Sequence, residues 1–209
     1  MDLTNFAKKE KVSYEHNDHY ARKARKENFV ARSVYKLQEI DQKYRIIHKG
    51  DQVLDLGASP GSWSQYTSQK IGLQGKLLGI DLTKIFLSLP NAVFVKGDIL
   101  TLDIPAVLEK NGFNGQFNAV ISDMAPATTS NRFVDQINSL ELCEMALGIA
   151  LRYLKPGGNF VCKIFDSGEV KGFTEEMKKH FKNIQILRPK SVQKSSKEIF
   201  LIGLGRKVE

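Results

Sequence analysis

The stretch Gln52-Val-Leu-Asp-Leu-Gly-Ala-Ser-Pro-Gly-Ser-Trp63 runs from an apolar segment straight into a loop of small residues. Val53, Leu54 and Leu56 are the near-continuous hydrophobic run of a strand buried on both faces of a parallel sheet. Gly57 and Gly61 bracket Ala58-Ser59-Pro60, where a chain without bulky side chains turns tightly and brings its backbone against a ligand. The pattern predicts a helix from Gly61 to Ile71, so a cofactor cradle would lie at the carboxyl end of a strand beside a helix N-terminus. This loop has neither the dinucleotide spacing G-x-G-x-x-G nor the triphosphate spacing G-x-x-x-x-G-K-S/T. A tight strand-to-helix turn that holds no ligand is the competing reading of the loop taken alone.

Outward from this loop, helices are predicted at Asn17 to Asn28 and Ser33 to Arg45, the second with an apolar stripe of Val34, Leu37 and Ile40. Strands are predicted at Gln52 to Gly57, Lys76 to Asp81, Ala92 to Lys96, Phe117 to Asp123, Asn159 to Phe165, Asn183 to Leu187 and Glu198 to Leu204. Helices at Thr101 to Lys110, Val134 to Tyr153 and Thr174 to Lys179 fall between them, and Lys155-Pro-Gly-Gly158 reads as a sharp stop after the long one. Such alternation argues for a doubly wound α/β sheet with helices on both faces.

A chain of 209 residues with 42% hydrophobic content is long enough for one domain with a sizeable core. No apolar run approaches the roughly 18 residues of a membrane span, and the opening residues lack the apolar segment of a signal peptide, so a soluble cytoplasmic protein is expected. Cys143 and Cys162 have no metal-ligand spacing and read as buried small hydrophobes in a reducing compartment. His16, Asp18 and His19 cluster in a polar segment with no distant Cys/His set, so no metal site is expected.

The net charge of +8 is unevenly placed: residues 8–49 hold 12 Lys/Arg against 6 Asp/Glu. The run Tyr20-Ala-Arg-Lys-Ala-Arg-Lys-Glu27 concentrates the excess, and Arg188, Lys190, Lys194 and Lys197 add a second group. Clustered cations gain by displacing counterions from phosphates, so RNA or another polyanion is the natural partner, with a solvated basic helix as the alternative. Arg22, Lys23, Arg25, Lys26 and Arg32 are the candidate RNA contacts. Tyr20 and Tyr35 either stack on unpaired bases or pack internally.

Several carboxylates fall where a doubly wound sheet places its ligand. Asp81 ends the second strand, Asp98 follows the third, and Asp123 ends the fourth. In a cofactor reading Asp81 accepts hydrogen bonds from ribose hydroxyls, Asp98 sits near an adenine amino group and Asp123 faces a reacting or cationic centre. Each, taken singly, reads equally well as a helix cap or strand end. Lys163 lies on the apolar strand Phe160-Val-Cys-Lys-Ile-Phe165, where an unpaired charge is costly, so it either serves chemistry or snorkels to water.

The chain resembles the FtsJ/RrmJ-type ribosomal RNA ribose 2′-O-methyltransferases from about Asp18 onward. The resemblance rests on Arg32-Ser-Val-Tyr-Lys-Leu-Gln-Glu-Ile40, Leu54-Asp-Leu-Gly-Ala-Ser-Pro-Gly-Ser-Trp-Ser-Gln-Tyr66, Ser122-Asp-Met-Ala-Pro126, Cys162-Lys-Ile-Phe165 and Lys194-Ser-Ser-Lys-Glu-Ile-Phe200. The family carries a Lys-Asp-Lys-Glu tetrad, which the resemblance places at Lys36, Asp123, Lys163 and Glu198. Ser62 stands where the family often has a second glycine. Implied are a Rossmann-like fold of seven strands, mostly parallel with the last antiparallel, and S-adenosylmethionine as methyl donor. Gly61, Trp63, Asp81, Asp98 and Asp123 would bind that donor, with Trp63 either shaping its methionine end or packing under the loop.

The chemistry asks for these residue types. A ribose hydroxyl is a poor nucleophile while a sulfonium methyl is already activated, so the enzyme must align the two and help to remove one proton. An ordinary lysine has a pKa near about 10.4, and burial or neighbouring positive charge favours its neutral, basic form. Lys163 is the candidate base or hydroxyl guide, positioned by Asp123, with Glu198 orienting Lys36 and the ribose. The expected substrate is a uridine of large-subunit ribosomal RNA; a tRNA methyltransferase of the same family and a non-catalytic ribosome-assembly factor are the alternatives. The expected organisation is a basic helical RNA-binding extension at residues 1–49, a methyltransferase unit at 50–209, and a monomer.

Overall fold

The computed structural model describes residues 19–129 and 131–208. The elements run α1 (His19–Lys26), α2 (Val34–Tyr44), β1 (Gln52–Leu56), α3 (Ser62–Ile71), β2 (Lys76–Asp81), β3 (Ala92–Lys96) and α4 (Ile104–Lys110). Then come β4 (Phe117–Ser122), α5 (Arg132–Tyr153), β5 (Leu154–Phe165), α6 (Val170–His180), β6 (Phe181–Leu187) and β7 (Glu198–Arg206). The strands form one sheet in the order β3-β2-β1-β4-β5-β7-β6. Within the β3-β2-β1-β4-β5 portion neighbouring strands are parallel, whereas β7 lies antiparallel to both β5 and β6, as predicted. The strand order turns back at β1 and β4, which puts a crevice at the carboxyl ends of those two strands.

Alternation along the strands sorts the core into two layers. Ala119, Ile121, Val161, Phe200 and Ile202 face a layer built with Leu37 and Ile40 of α2 and Trp63 and Ile71 of α3. Val120, Phe160, Cys162, Ile164, Ile199 and Leu201 face the opposite layer, built with Ile104, Leu108, Ala146, Phe173 and others from α4, α5 and α6. Helices thus cover both faces. Residues 19–49 are continuous with this body: Ala24, Val34 and Tyr35 cluster with Tyr20, Phe29 and Tyr66, and Ile46 and Ile47 share the core of Val53.

Boundaries depart from the sequence expectation where side chains or glycines intervene. Lys155-Pro-Gly-Gly158 is not a stop: β5 begins at Leu154 directly after α5. The register slips between the pairs Phe117/Leu154 and Ala119/Asn159, and Gly157, at φ +79°, takes the kink. Helix α4 starts at Ile104 rather than Thr101, because Asp98 ties residues 98–102 into a turn and Asp103 accepts a 3.0 Å bond from the Ala106 amide. Helix α5 starts at Arg132, two residues before Val134, where the Asn131 side chain accepts the Phe133 and Val134 amides. Helix α6 is longer than predicted since Val170, Phe173 and Met177 supply a buried stripe.

Cys143 and Cys162 are both buried and free of any disulfide, and the Cys143 thiol donates to the Lys163 carbonyl at 2.9 Å. His19 is exposed, while His16, Asn17 and Asp18 lie outside the described residues. Among the described residues there is no group of three metal-ligating side chains, and no helix is long and apolar enough to cross a membrane.

Candidate active site

Strand register brings the four expected polar residues together. Residues directly opposite in an antiparallel pair share a face, and β5 pairs with β7 so that Lys163 opposes Phe200 and Phe165 opposes Glu198. Lys163 and Glu198 therefore project on the same side of the sheet, the side covered by α2. In the parallel pair of β4 and β5, Ser122 aligns with Cys162, which puts Asp123 beside Lys163. From α2, Lys36 reaches this point over the Phe200 ring, its amine 5.8 Å from the ring centre.

The distances are those of a connected network. Lys163 Nζ lies 3.0 Å from Asp123 Oδ1 and donates to the Asp123 carbonyl at 2.6 Å. Lys36 Nζ lies 2.8 Å from Glu198 Oε2 and 3.7 Å from Asp123 Oδ1. Lys163 is only 5% exposed, so it does not snorkel to water. Burial works to raise the Glu198 carboxyl, yet the charge and hydrogen bond of Lys36, with help from Lys163, outweigh it and hold the group below the usual carboxylate range. Asp123 Oδ1, although near both amines, receives no bond of hydrogen-bond geometry and is buried. The carboxylate is thus held by ion pairs with two lysines at the point where the network meets a cleft.

Asp123 also borders a cleft of about 580 Å³ at the carboxyl ends of β1, β2 and β4, in the size range of cofactor sites. Gly57, Asp81, Asp98, Leu100 and Met145 are among its walls. Gly57, at φ +72°, abuts the next strand's loop so closely that a Cβ there would meet Met124 Cγ at 2.5 Å. Asp81 accepts the Ser59 amide at 2.9 Å and the Thr83 amide at 2.6 Å, while Asp98 accepts the Leu100 amide at 3.0 Å. A carboxylate has about four acceptor positions, so both keep capacity toward the cleft. Leu82 and Leu100, each 67% exposed, give the same cleft apolar walls suited to a flat ring.

Two expected cofactor residues stand apart from this cleft wall. Gly61 caps α3 at φ +112°, and a Cβ there would meet Leu87 Cδ2 at 2.8 Å, so its smallness serves loop packing. Trp63 is buried, donates from Nε1 to the Ser33 carbonyl at 2.9 Å and packs on Phe200. Of the two roles open to it in the sequence, packing under the loop is the one its position serves. Tyr35 likewise packs: it is buried, its hydroxyl donates to Glu27 Oε2 at 2.9 Å, and its ring contacts Tyr20. Tyr20 is half-buried, in contact with the rings of His19 and Tyr35. In α1, Arg22, Arg25 and Lys26 are exposed, while Lys23 lies over the Tyr35 ring at 4.5 Å. Arg32 is half-buried and donates to the Ser191 carbonyl.

Asp55 is a member of the site region that sequence reasoning passed over. It lies one residue from the end of β1, 1% exposed, with Oδ2 accepting the Ser64 hydroxyl at 2.6 Å and Oδ1 without a hydrogen-bond partner. Burial pushes its carboxyl up to about 7, the Ser64 bond opposes this, and the nearby Asp123 and Asp81 carboxylates add to it. The available signal was an acidic residue inside the apolar run Val53-Leu54-Asp55-Leu56, the same kind of anomaly that marked Lys163.

Comparison with known proteins follows the same outline. The sequence profile described as FtsJ-like methyltransferase matches residues 29–206. A protein of Bdellovibrio bacteriovorus named ribosomal RNA large subunit methyltransferase E is 50% identical over 196 residues, covering 94% of this chain and all of that one. A protein of the same name from Desulforapulum autotrophicum is 47% identical, over 91% of this chain and 93% of its own. Among solved structures, a Plasmodium falciparum protein assigned as a ribosomal RNA methyltransferase superposes with a TM-score of 0.74 at 27% identity, over 87% of this chain and all of that chain.

Proposed function

The chain belongs to the FtsJ-like methyltransferase family, and from that premise we propose that it transfers a methyl group from S-adenosylmethionine to a ribose 2′-hydroxyl, that of a uridine in large-subunit ribosomal RNA. The observation that carries the reading is the network of Lys36, Asp123, Lys163 and Glu198 at the edge of the 580 Å³ cleft. Near-identical length and about half-identity to proteins named for large-subunit ribosomal RNA support the substrate class.

The cofactor fits the residues present: Asp81 and Asp98 toward a ribose and an amino group, Leu82 and Leu100 on a ring, and the Asp123 carboxylate, which borders the cleft, toward a cationic group. When bound it supplies a methyl already activated by sulfonium. The chain's own residues do the rest. Lys163 holds the 2′-oxygen in line and guides or receives its proton; Asp123 fixes Lys163 through two contacts; Glu198 fixes Lys36 against the ribose. The exposed cations of α1 hold the RNA by its phosphates.

The test is transfer of a labelled methyl group to large-subunit particles and to tRNA from cells lacking this protein, with the label then mapped. Label on the 2′-oxygen of one uridine in the large-subunit RNA is the expected result, and label confined to tRNA would overturn the substrate assignment. Two further outcomes are expected. Calorimetry shows S-adenosylmethionine affinity about tenfold or more weaker in Asp98→Ala, since a charged acceptor of a hydrogen bond is worth about 1.5–3 kcal/mol; equal affinity would displace Asp98 from the cofactor. Replacing Arg22, Lys23, Arg25 and Lys26 together by Gln flattens the logarithmic salt dependence of RNA affinity by about 3, because each phosphate no longer neutralised removes about 0.7 to 0.9 from the slope. An unchanged slope would mean that α1 does not touch the RNA.

A further inference from the structure

Glu198 borders a second, smaller cleft that the cofactor does not account for. This cleft, about 270 Å³, is lined by Arg32, Ser33, Lys36, Ser191, Gln193, Ser196 and Glu198. It forms where the start of α2 meets the loop between β6 and β7, and two long-range bonds hold that meeting. Arg32 donates to the Ser191 carbonyl, and the Lys190 amide donates to Glu39 Oε2 at 2.8 Å. The loop is thus fixed against the helix, and the walls of the cleft come from segments about 160 residues apart.

Its chemistry is that of an oxyanion site. Two cations and several hydroxyls surround it, opposed by the single carboxylate of Glu198, which Lys36 already pairs at 2.8 Å. Ser191 is only 2% exposed and its hydroxyl oxygen has no hydrogen-bond partner. A buried hydroxyl in that state calls for a partner that arrives with the ligand. Ser33 is the N-cap of α2 and makes no capping bond; its hydroxyl bonds to that of Ser62 instead, at 2.7 Å.

Resting on the proposed ribose chemistry, we propose that this cleft holds the phosphate on the 3′ side of the target nucleotide. The reason is covalent. The 3′-phosphate is linked to C2′, which bears the reacting oxygen, only through C3′ and O3′, so a ribose held by Lys163, Lys36 and Glu198 places it within reach of the next cation. That cation is Arg32, which lines the cleft beside Lys36. Arginine suits the task because its planar fork presents paired donors to phosphate oxygens. The larger cleft on the other side of Glu198 also has cations, Arg132 and Lys197, but places Asp135 and the Phe165 ring beside them, a poorer setting for an anion. Arg32 on this reading fixes the register of the RNA at the reacting ribose, a different task from the general attraction of α1.

The test uses the full chain with saturating S-adenosylmethionine, titrated in an NMR experiment with uridine 3′-monophosphate, uridine 5′-monophosphate and uridine. The 3′-monophosphate is expected to bind about tenfold more tightly than the 5′ isomer, the gain of one charge-assisted contact, and to shift the amide signals of Ser33, Ser191 and Ser196. Arg32→Gln brings the two isomers to within twofold. Because Arg32 also braces the loop, Ser191→Ala is the second variant; it removes only the unpartnered hydroxyl and should narrow the difference between isomers without changing uridine affinity. Equal binding of the two isomers by the wild-type chain, or shifts at Thr129 and Arg132 in place of Ser33 and Ser191, would overturn the assignment. Methyl transfer to large-subunit particles by the same preparation separates the two levels: transfer without isomer preference removes only the phosphate subsite, whereas no transfer to any RNA removes the ribose chemistry beneath it.

Discussion

Lys163→Ala is expected to lower single-turnover methyl transfer by about 10³-fold, within the range of about 10² to 10⁴ for a positioned proton-transfer group. The loss should appear with enzyme and S-adenosylmethionine saturating, because the contact of Lys163 with the nucleophile strengthens only as the transition state forms. Cofactor affinity and RNA affinity should change little. The fold should persist as well: Asp123 loses its 3.0 Å partner but keeps Lys36 at 3.7 Å, so its carboxylate is not left without a counter-charge. Lys163→Met, which preserves the aliphatic stem, separates the effect of charge from that of packing and should be as inactive as the alanine variant. Lys36→Ala and Glu198→Ala should fall less, since the role proposed for their 2.8 Å pair is to arrange the ribose and not to receive the proton. A wild-type rate for Lys163→Ala under these conditions would remove it from the chemistry.

The second large effect concerns stability and comes from Asp55. An aspartate in the unfolded chain titrates near about 3.9, whereas the folded carboxyl is pushed up to about 7. Between these values the unfolded state releases a proton that the native state keeps, so the native state binds more protons and its stability falls as pH rises. The loss accumulates across that window and is complete above the folded value, amounting to about 4 kcal/mol. Asp55→Asn has the same shape and no titration. Urea unfolding of both chains from pH 4.5 to 8 should therefore show the variant gaining on the wild type as pH rises. Parallel curves would mean that Asp55 is ionised in the folded protein at all these pH values.

The parts of the fold legible in the sequence were those set by local periodicity. The run Val53-Leu54-Asp55-Leu56 ending in Gly57 reads as a buried strand entering a turn, and β2 and β3 have the predicted ends because each is short and apolar with a polar residue at its close. The gathering of Lys36, Asp123, Lys163 and Glu198 into one network was legible through resemblance, and the anomaly of one lysine in an apolar strand pointed the same way. What was not legible depends on contacts made across the chain. Pro156 and Gly157 look like punctuation until the bulge opposite Phe117 accommodates them inside β5. Trp63 read equally as packing under the loop or shaping a ligand site, and the contacts that hold it, the Ser33 carbonyl and the Phe200 ring, come from distant segments. The Arg32 and Ser191 pairing joins two polar stretches that carry no periodic signal at all.

The position of β7 in the sheet has a consequence for the order in which the protein is made. Every wall of the large cleft belongs to residues 57–145, so that part of the chain emerges from the ribosome first. Glu198 stands at the first position of the last strand, and β7 is inserted between β5 and the previously made β6. Until it arrives, β5 is an open edge and Lys36 has no carboxylate at 2.8 Å. The walls of the cleft proposed for the methyl donor are therefore synthesised before the carboxylate that completes the network proposed to hold the ribose.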